Sequence, residues 1–320
     1  MTDESALVTV LGSRPVPPSG VVDAHGHLWI DPVANALDRA APVLADEEGI
    51  TRELAAFRDA GGVAVVDCQP PGCGRNLARL RSLSSATEVD VVACTGFHLP
   101  RYYAPDAWPW SATDEAVADR FVEELLHGVE VDGLVARVGA IKTAFTGATD
   151  DAQVGRMLAC ACRASVCTGA AMLVHTERGA GVEQLAGLLV EHGVRPDRVV
   201  LCHVDKRPDP VLHRELAAAG FLLEYDTFLR PRYEPERNVW PLLARMLEDG
   251  YASALACGLD LADASLWRFG GALVGMVGLP TVVRPRLLNL GASERDIGRL
   301  LRGNVVERLR VRTRAEVAAA

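Results

Sequence analysis

Lysine is almost missing from this chain. Of its 33 basic residues, only Lys142 and Lys206 are lysines and the other 31 are arginines. Surface positions evidently accept arginine, so the two lysines are candidates for work that a guanidinium cannot do. An amine can lose its proton and act as a nucleophile, whereas arginine stays charged. Long apolar runs are missing too. No window approaches the roughly 20 apolar residues that span a bilayer. The first 13 residues lack the basic stretch and apolar run of a secretory signal. Positive charge is in deficit, with a net charge of -9. That argues against nucleic acid or an anionic membrane as the partner, because both call for a basic face. Eight cysteines in 320 residues are too few for a disulfide scaffold. Six of them, Cys68, Cys94, Cys160, Cys167, Cys202 and Cys257, sit in apolar runs. They read as reduced core thiols of a cytoplasmic protein. Cys160 and Cys162, two apart on an expected helix, point away from each other and make a poor metal pair. No GxGxxG or GxxxxGK[ST] follows an expected strand, which removes support for a dinucleotide or P-loop site.

What remains is ordinary globular material, 49% hydrophobic and 23% charged. A chain of this length can bury a large core unaided. Short β-branched runs recur at 21–24, 63–68, 90–95, 138–142, 171–174, 199–202, 221–225 and 254–257. Helical patterns fall between them at 51–60, 113–127, 150–167, 182–192, 210–219, 239–249 and 293–302. Several begin on acceptable N-caps (Thr51, Thr113, Ser293), and glycine often follows the end, as at Gly61, Gly128 and Gly193. The strands are continuous apolar runs rather than alternating ones, as expected when both faces are covered. Eight such units predict an α/β fold, a (β/α)8 TIM barrel filling residues 1–320 as one domain. A doubly wound open sheet is the alternative. Long loops at 96–111, 228–238 and 261–280 follow the third, seventh and eighth strands. In a barrel all three emerge at the C-terminal face, where sites are built.

Polar residues cluster just past the strands. The first strand ends in His25-Gly26-His27, the fourth in Lys142, the fifth in His175, the sixth in His203 and the eighth leads to Asp260. An HxH on extended chain puts both imidazoles on one face. Six metal-competent groups from five strands thus converge on one end, and imidazole with carboxylate suits Zn2+, Mn2+ or Co2+. His98, His127, His192 and His213 read as surface or structural. An ammonium repels a cation, so Lys142 fits such a site only after its neutral amine takes up CO2. The resulting carbamate offers two oxygens that can bridge two metals. The ordinary alternative is a buried lysine paired with a carboxylate.

The ordered motifs TVLG (9–12), DAHGHL (23–28), VVDCQPPGCGRN (65–76), GAIKTAF (139–145), LVHTE (173–177), PDRVVLCHVDK (196–206), GLDLA (258–262) and GNVVERL (303–309) resemble the phosphotriesterase family of the amidohydrolase superfamily. The resemblance covers essentially the whole chain. It implies a cytoplasmic hydrolase with two divalent ions, zinc first and Mn or Co as options. His25, His27 and Asp260 would hold the more buried ion, and His175 and His203 the more exposed one. N6-carboxylated Lys142 and a hydroxide would bridge them. Asp260 would double as the catalytic proton acceptor. Where many members read HEH, this chain has Gly26. Where organophosphate-cleaving members carry an acidic residue three positions past the sixth-strand histidine, it has Lys206. With Arg230 and Tyr233 in the next loop, this resembles the branch that opens phosphorylated sugar lactones. There these three residues would bind the anionic end of a small-molecule substrate, and charge-assisted hydrogen bonds supply the grip. The reading is a lactonase or carboxyl esterase attacking with the metal-bridging hydroxide. Hydrolysis of a phosphate or phosphonate ester, or of an N-acyl amide, remains open, as does a non-catalytic metal- or small-molecule-binding barrel. Members of the family are often dimers, which suggests a homodimer.

Overall fold

The computed structural model describes residues 6–148 and 151–310. Eight strands form one parallel sheet in chain order: β1 (Val21–Gly26), β2 (Gly62–Asp67), β3 (Asp90–Gly96), β4 (Ala140–Phe145), β5 (Met172–Thr176), β6 (Val199–Cys202), β7 (Leu222–Tyr225) and β8 (Leu255–Cys257). Backbone N–H groups of Leu259 and Asp260 donate to the His25 carbonyl at 3.3 and 2.8 Å and join the segment after β8 to β1. The sheet therefore curls into the expected TIM barrel.

The strands are buried almost throughout, which is why their sequences run apolar without alternation. Their inward residues are small or branched. Val22, Ala24, Ala64, Val66, Cys94, Ala140 and Leu173 make a narrow core, and Leu7, Val305, Val306 and Leu309 join it. The other strand face packs under the helices through a larger apolar cluster. α1 (Glu47–Asp59), α2 (Leu77–Thr87), α3 (Asp114–His127), α4 (Ala152–Thr168), α5 (Val182–Glu191), α6 (Pro210–Ala218) and α7 (Val239–Glu248) follow the first seven strands. A last helix runs from Glu294 through a π-helical stretch at Arg299–Gly303 to Leu309.

Some elements differ from expectation. α2 is unannounced by a strong apolar stripe, yet Asn76 caps it by accepting from the Arg79 N–H. The first residue expected for the fourth helix, Asp150, lies outside the described residues, as do 1–5 and 311–320 of the expected domain. Asp151 caps that helix by accepting from the Val154 N–H. The last helix continues past its expected end at 302, since Val305, Val306 and Leu309 are drawn into the core. Two short hairpins, Ala6–Thr9 with Gly12–Pro15 and Val129–Val131 with Leu134–Ala136, were not foreseen. Seven cysteines are buried, Cys167 is exposed, and all eight are unpaired. Among the described residues no helix is long and apolar enough to cross a membrane.

Candidate metal centre and substrate cavity

A cavity of about 580 Å³ opens at the C-terminal end of the barrel. Its floor carries His25, His27, His175, His203 and Asp260. Lys142, on β4, is fully buried beneath, with its Nζ 3.2 Å from His25 Nε2. All six residues expected at the centre are therefore neighbours. Ring centroids run 5.5 Å from His25 to His27, 4.6 Å from His25 to His203 and 4.8 Å from His203 to His175. Asp260 Oδ1 lies 3.5 Å from His27 Nε2 and 3.9 Å from His25 Nε2. Two ligands at about 2.1 Å from one ion stand about this far apart.

The backbone is bent to achieve this. His203 has φ 65° and Asp260 φ 48°. Non-glycine residues in this left-handed region cost about 1–3 kcal/mol each and tend to mark sites of function. Gly96, at φ 100°, lets the end of β3 pass the Lys142 carbonyl where a Cβ would collide.

Three of the four floor imidazoles are backed by a partner at the other ring nitrogen. His25 Nδ1 lies 3.3 Å from Glu224 Oε2, His27 Nδ1 2.8 Å from Gln69 Oε1, and His203 Nδ1 contacts Asp226. Metal-ligating histidines are held in this way, because the outer bond fixes tautomer and ring orientation. His175 Nε2 is buried without a hydrogen-bond partner. Burial lowers the proton affinity of His25 and His203 well below the usual imidazole range, and that of His175 below it. Neutral imidazoles with one orphaned nitrogen are the donor set that a divalent ion requires. Burial opposes the charge on Asp260. Arg230 above all, then His203, outweighs it and holds this carboxyl well below the usual range.

The rim is cationic on one side. Arg230 lies 3.2 Å and Lys206 3.7 Å from Asp260 Oδ2, and Lys206 also lies 3.6 Å from Asp226. The Lys206 ammonium sits 5.2 Å from the centre of the Tyr233 ring. The three residues expected to bind an anion are thus brought together beside the candidate metal ligands. Arg230 is buried; its Nε and Nη2 make no hydrogen bond, and Nη2 is the atom ion-paired with Asp260.

His98 corrects the expectation of a surface or structural residue. It lines the cavity with its ring 4.8 Å from that of His175. Its Nδ1 accepts from the Leu99 N–H at 2.7 Å, so its proton sits on Nε2. It was missed although it lies two residues past the end of β3, a place of the same kind as those of His27 and Asp260. His213 is structural, as expected: it is buried between the Tyr225 hydroxyl and the Arg207 carbonyl. Gln69 and Glu224 were missed too. The only sequence signal was their place at the ends of β2 and β7.

A model of the phosphotriesterase family matches residues 6–308. The chain belongs to the phosphotriesterase family. A phospho-furanose lactonase from Mycoplasmopsis synoviae is 26% identical over 266 residues, covering 79% of this chain and 75% of that protein. An N-acetyltaurine hydrolase from Tetraodon nigroviridis is 29% identical over 278 residues, covering 83% and 78%. A crystallised lactonase from Listeria monocytogenes superposes with a TM-score of 0.87 over 96% of this chain and 100% of that one. At 20% identity it speaks for the fold.

Proposed function

We propose that this phosphotriesterase-family chain is a metal-dependent hydrolase that opens a lactone carrying an anionic group, a phosphorylated sugar lactone being the leading form. The observation that carries the reading is Arg230. A buried guanidinium lines the cavity with two donors, Nε and Nη2, that make no hydrogen bond, Nη2 being ion-paired with the candidate catalytic carboxylate of Asp260 at 3.2 Å. Buried donors of a cation are normally satisfied, and a phosphate or carboxylate on the substrate would satisfy these.

His25, His27 and Asp260 would hold one ion, His175 and His203 a second, with carboxylated Lys142 between them. Two such ions supply a Lewis acid for the carbonyl and lower the pKa of a bound water, with Zn2+ preferred and Mn2+ or Co2+ as alternatives. Carboxylation joins the Lys142 nitrogen to CO2 carbon and releases one proton. Asp260 accepts the proton of the attacking water and returns it to the leaving oxygen as the ring C–O bond breaks. Lys206, Arg230 and Tyr233 hold the anionic end by charge-assisted hydrogen bonds. These cations lie within 4 Å of Asp260, so the anionic group sits close to the scissile bond and the substrate is small.

A second reading, hydrolysis of a small N-acyl amide bearing a sulfonate or carboxylate, is supported by the N-acetyltaurine hydrolase relative. The same cations would hold that anion. The unpaired cysteines suit a reducing cytoplasm. The test is turnover by metal-reconstituted protein of paired charged and neutral lactones, esters and N-acyl amides. Preference for charged lactones supports the first reading, and preference for charged amides replaces it with the second. Binding without turnover of any class would leave a non-catalytic binder.

A further inference from the structure

The stretch after β2, Asp67 to Asn76, is the motif that the proposed chemistry leaves unused. Most of its polar residues have a visible task. Asp67 accepts from the Leu28 and Gln69 N–H groups at 2.7 and 3.2 Å. Arg75 donates to Glu124 at 2.7 and 3.2 Å and to the Cys94 carbonyl at 2.8 Å. Asn76 donates to Asp31 at 2.9 Å and caps α2. Gln69 is the exception, a buried neutral amide at the edge of the cavity.

Its orientation follows from its neighbours. Gln69 Nε2 donates to the Cys73 carbonyl, whose only capacity is to accept, and lies 3.2 Å from Cys73 Sγ. Gly72 and Gly74, at φ 84° and 105°, turn the chain so that this carbonyl faces back. With Nε2 engaged, Oε1 must point the other way, and it lies 2.8 Å from His27 Nδ1. An oxygen that can only accept demands a proton on Nδ1. His27 Nε2 is then left as a lone pair on the side of Asp260. His25 and His203 meet carboxylates in the same place, Glu224 and Asp226. Only His27 among the three rests on an amide rather than a carboxyl group.

We infer that Gln69 is a positioning residue that locks His27 in the Nδ1–H tautomer, and that the turn from Pro70 to Gly74 exists to hold Gln69 in that orientation. The inference rests on the proposed metal centre only for its consequence. Partners of this kind affect metal affinity by about 10- to 100-fold. A neutral partner donates less charge through the ring than a carboxylate does, so His27 is the weaker-donating imidazole of the buried ion.

Gln69→Met keeps the volume and removes the acceptor, whereas Gln69→Glu keeps it. The first readout uses metal-free protein labelled with 15N-histidine, where long-range 1H–15N spectra report the tautomer of each ring. His27 is expected as Nδ1–H in the wild type and in Gln69→Glu, and as Nε2–H or a mixture in Gln69→Met. An unchanged Nδ1–H signal in Gln69→Met overturns the inference whether or not the protein binds metal. The second readout is equilibrium titration with Zn2+. One of two ions should bind about 10- to 100-fold more weakly in Gln69→Met, and the other as in the wild type. Equal weakening of both ions would make Gln69 a folding residue and overturn the assignment. Failure of the wild type to bind zinc overturns the metal centre instead, and the tautomer measurement still judges Gln69.

Discussion

Lys142 and Asp260 sit at the two ends of the candidate centre and can be tested one atom at a time. Lys142 is fully buried among imidazole and thiol neighbours, with Nζ 3.2 Å from His25 Nε2. Lys142→Ala should lose bound metal and activity, and acetate or propionate should partly restore both by taking the place of the carbamate. Lys142→Arg should not recover, because a guanidinium adds no CO2. Two ions and wild-type rate in Lys142→Arg would end the carbamate proposal. Asp260→Asn keeps the shape but gives up the proton acceptor, and kcat should fall by about two decades or more. A near-normal kcat would place proton transfer elsewhere. At the rim, one charge-assisted hydrogen bond is worth about 1.5–3 kcal/mol. Arg230→Ala or Lys206→Ala should therefore cut kcat/KM for an anionic lactone by roughly 10- to 150-fold and leave a neutral lactone nearly unaffected. Equal losses on both would show that these side chains support Asp260 rather than the substrate.

Elements transmit these positions through a few buried polar contacts, and α6 against β7 offers the cleanest one. His213, on α6, lies 2.6 Å from the Tyr225 hydroxyl of β7 and 3.0 Å from the Arg207 carbonyl. Burial pushes its pKa down to about 4, against backbone carbonyls that pull it up. The unfolded chain then binds a proton more readily than the folded one below about pH 6.5, so stability is full above that value and is lost as pH falls towards 4. Between pH 7 and pH 5 this one residue should cost about 2 kcal/mol. Urea midpoints measured at both pH values should converge in His213→Gln relative to the wild type. An unchanged difference would mean that His213 is already protonated in the fold, or that other groups dominate acid lability.

At the scale of the whole barrel, the proposed metal centre would tie five strands together at one end. An ion that binds only the folded chain adds stability in proportion to its saturation. At a free concentration 100-fold above the dissociation constant, one site contributes about 2.7 kcal/mol. Spread over the unfolding entropy of some 300 residues, that is a rise of roughly 4 °C in Tm. Calorimetry of chelator-treated and zinc-loaded protein should show at least this shift, and its absence would argue against any metal centre built into the fold.

The sequence by itself determined the barrel and the floor of its cavity. Strand order, strand burial and the position of a polar residue within or just past the C-terminal half of a strand are local properties, written in short apolar runs and the polar residues that interrupt or end them. His25, His27, Lys142, His175, His203 and Asp260 were legible for that reason. The near-absence of lysine made Lys142 and Lys206 conspicuous before any coordinate was known. α2 was not legible, because its apolar residues are few and its start depends on the Asn76 cap rather than on a strong stripe. Only the tertiary structure decided which residues stand behind the candidate ligands. Glu224 meets His25 across 199 positions and Gln69 meets His27 across 42. Such contacts form because barrel closure brings distant strand ends within hydrogen-bonding range, and no local pattern encodes them. His98, two residues past β3, was legible by the strand-end rule, and its N–H donates to the Tyr103 hydroxyl there. Chain-local chemistry set the floor of the site, and the closure of the sheet set its walls.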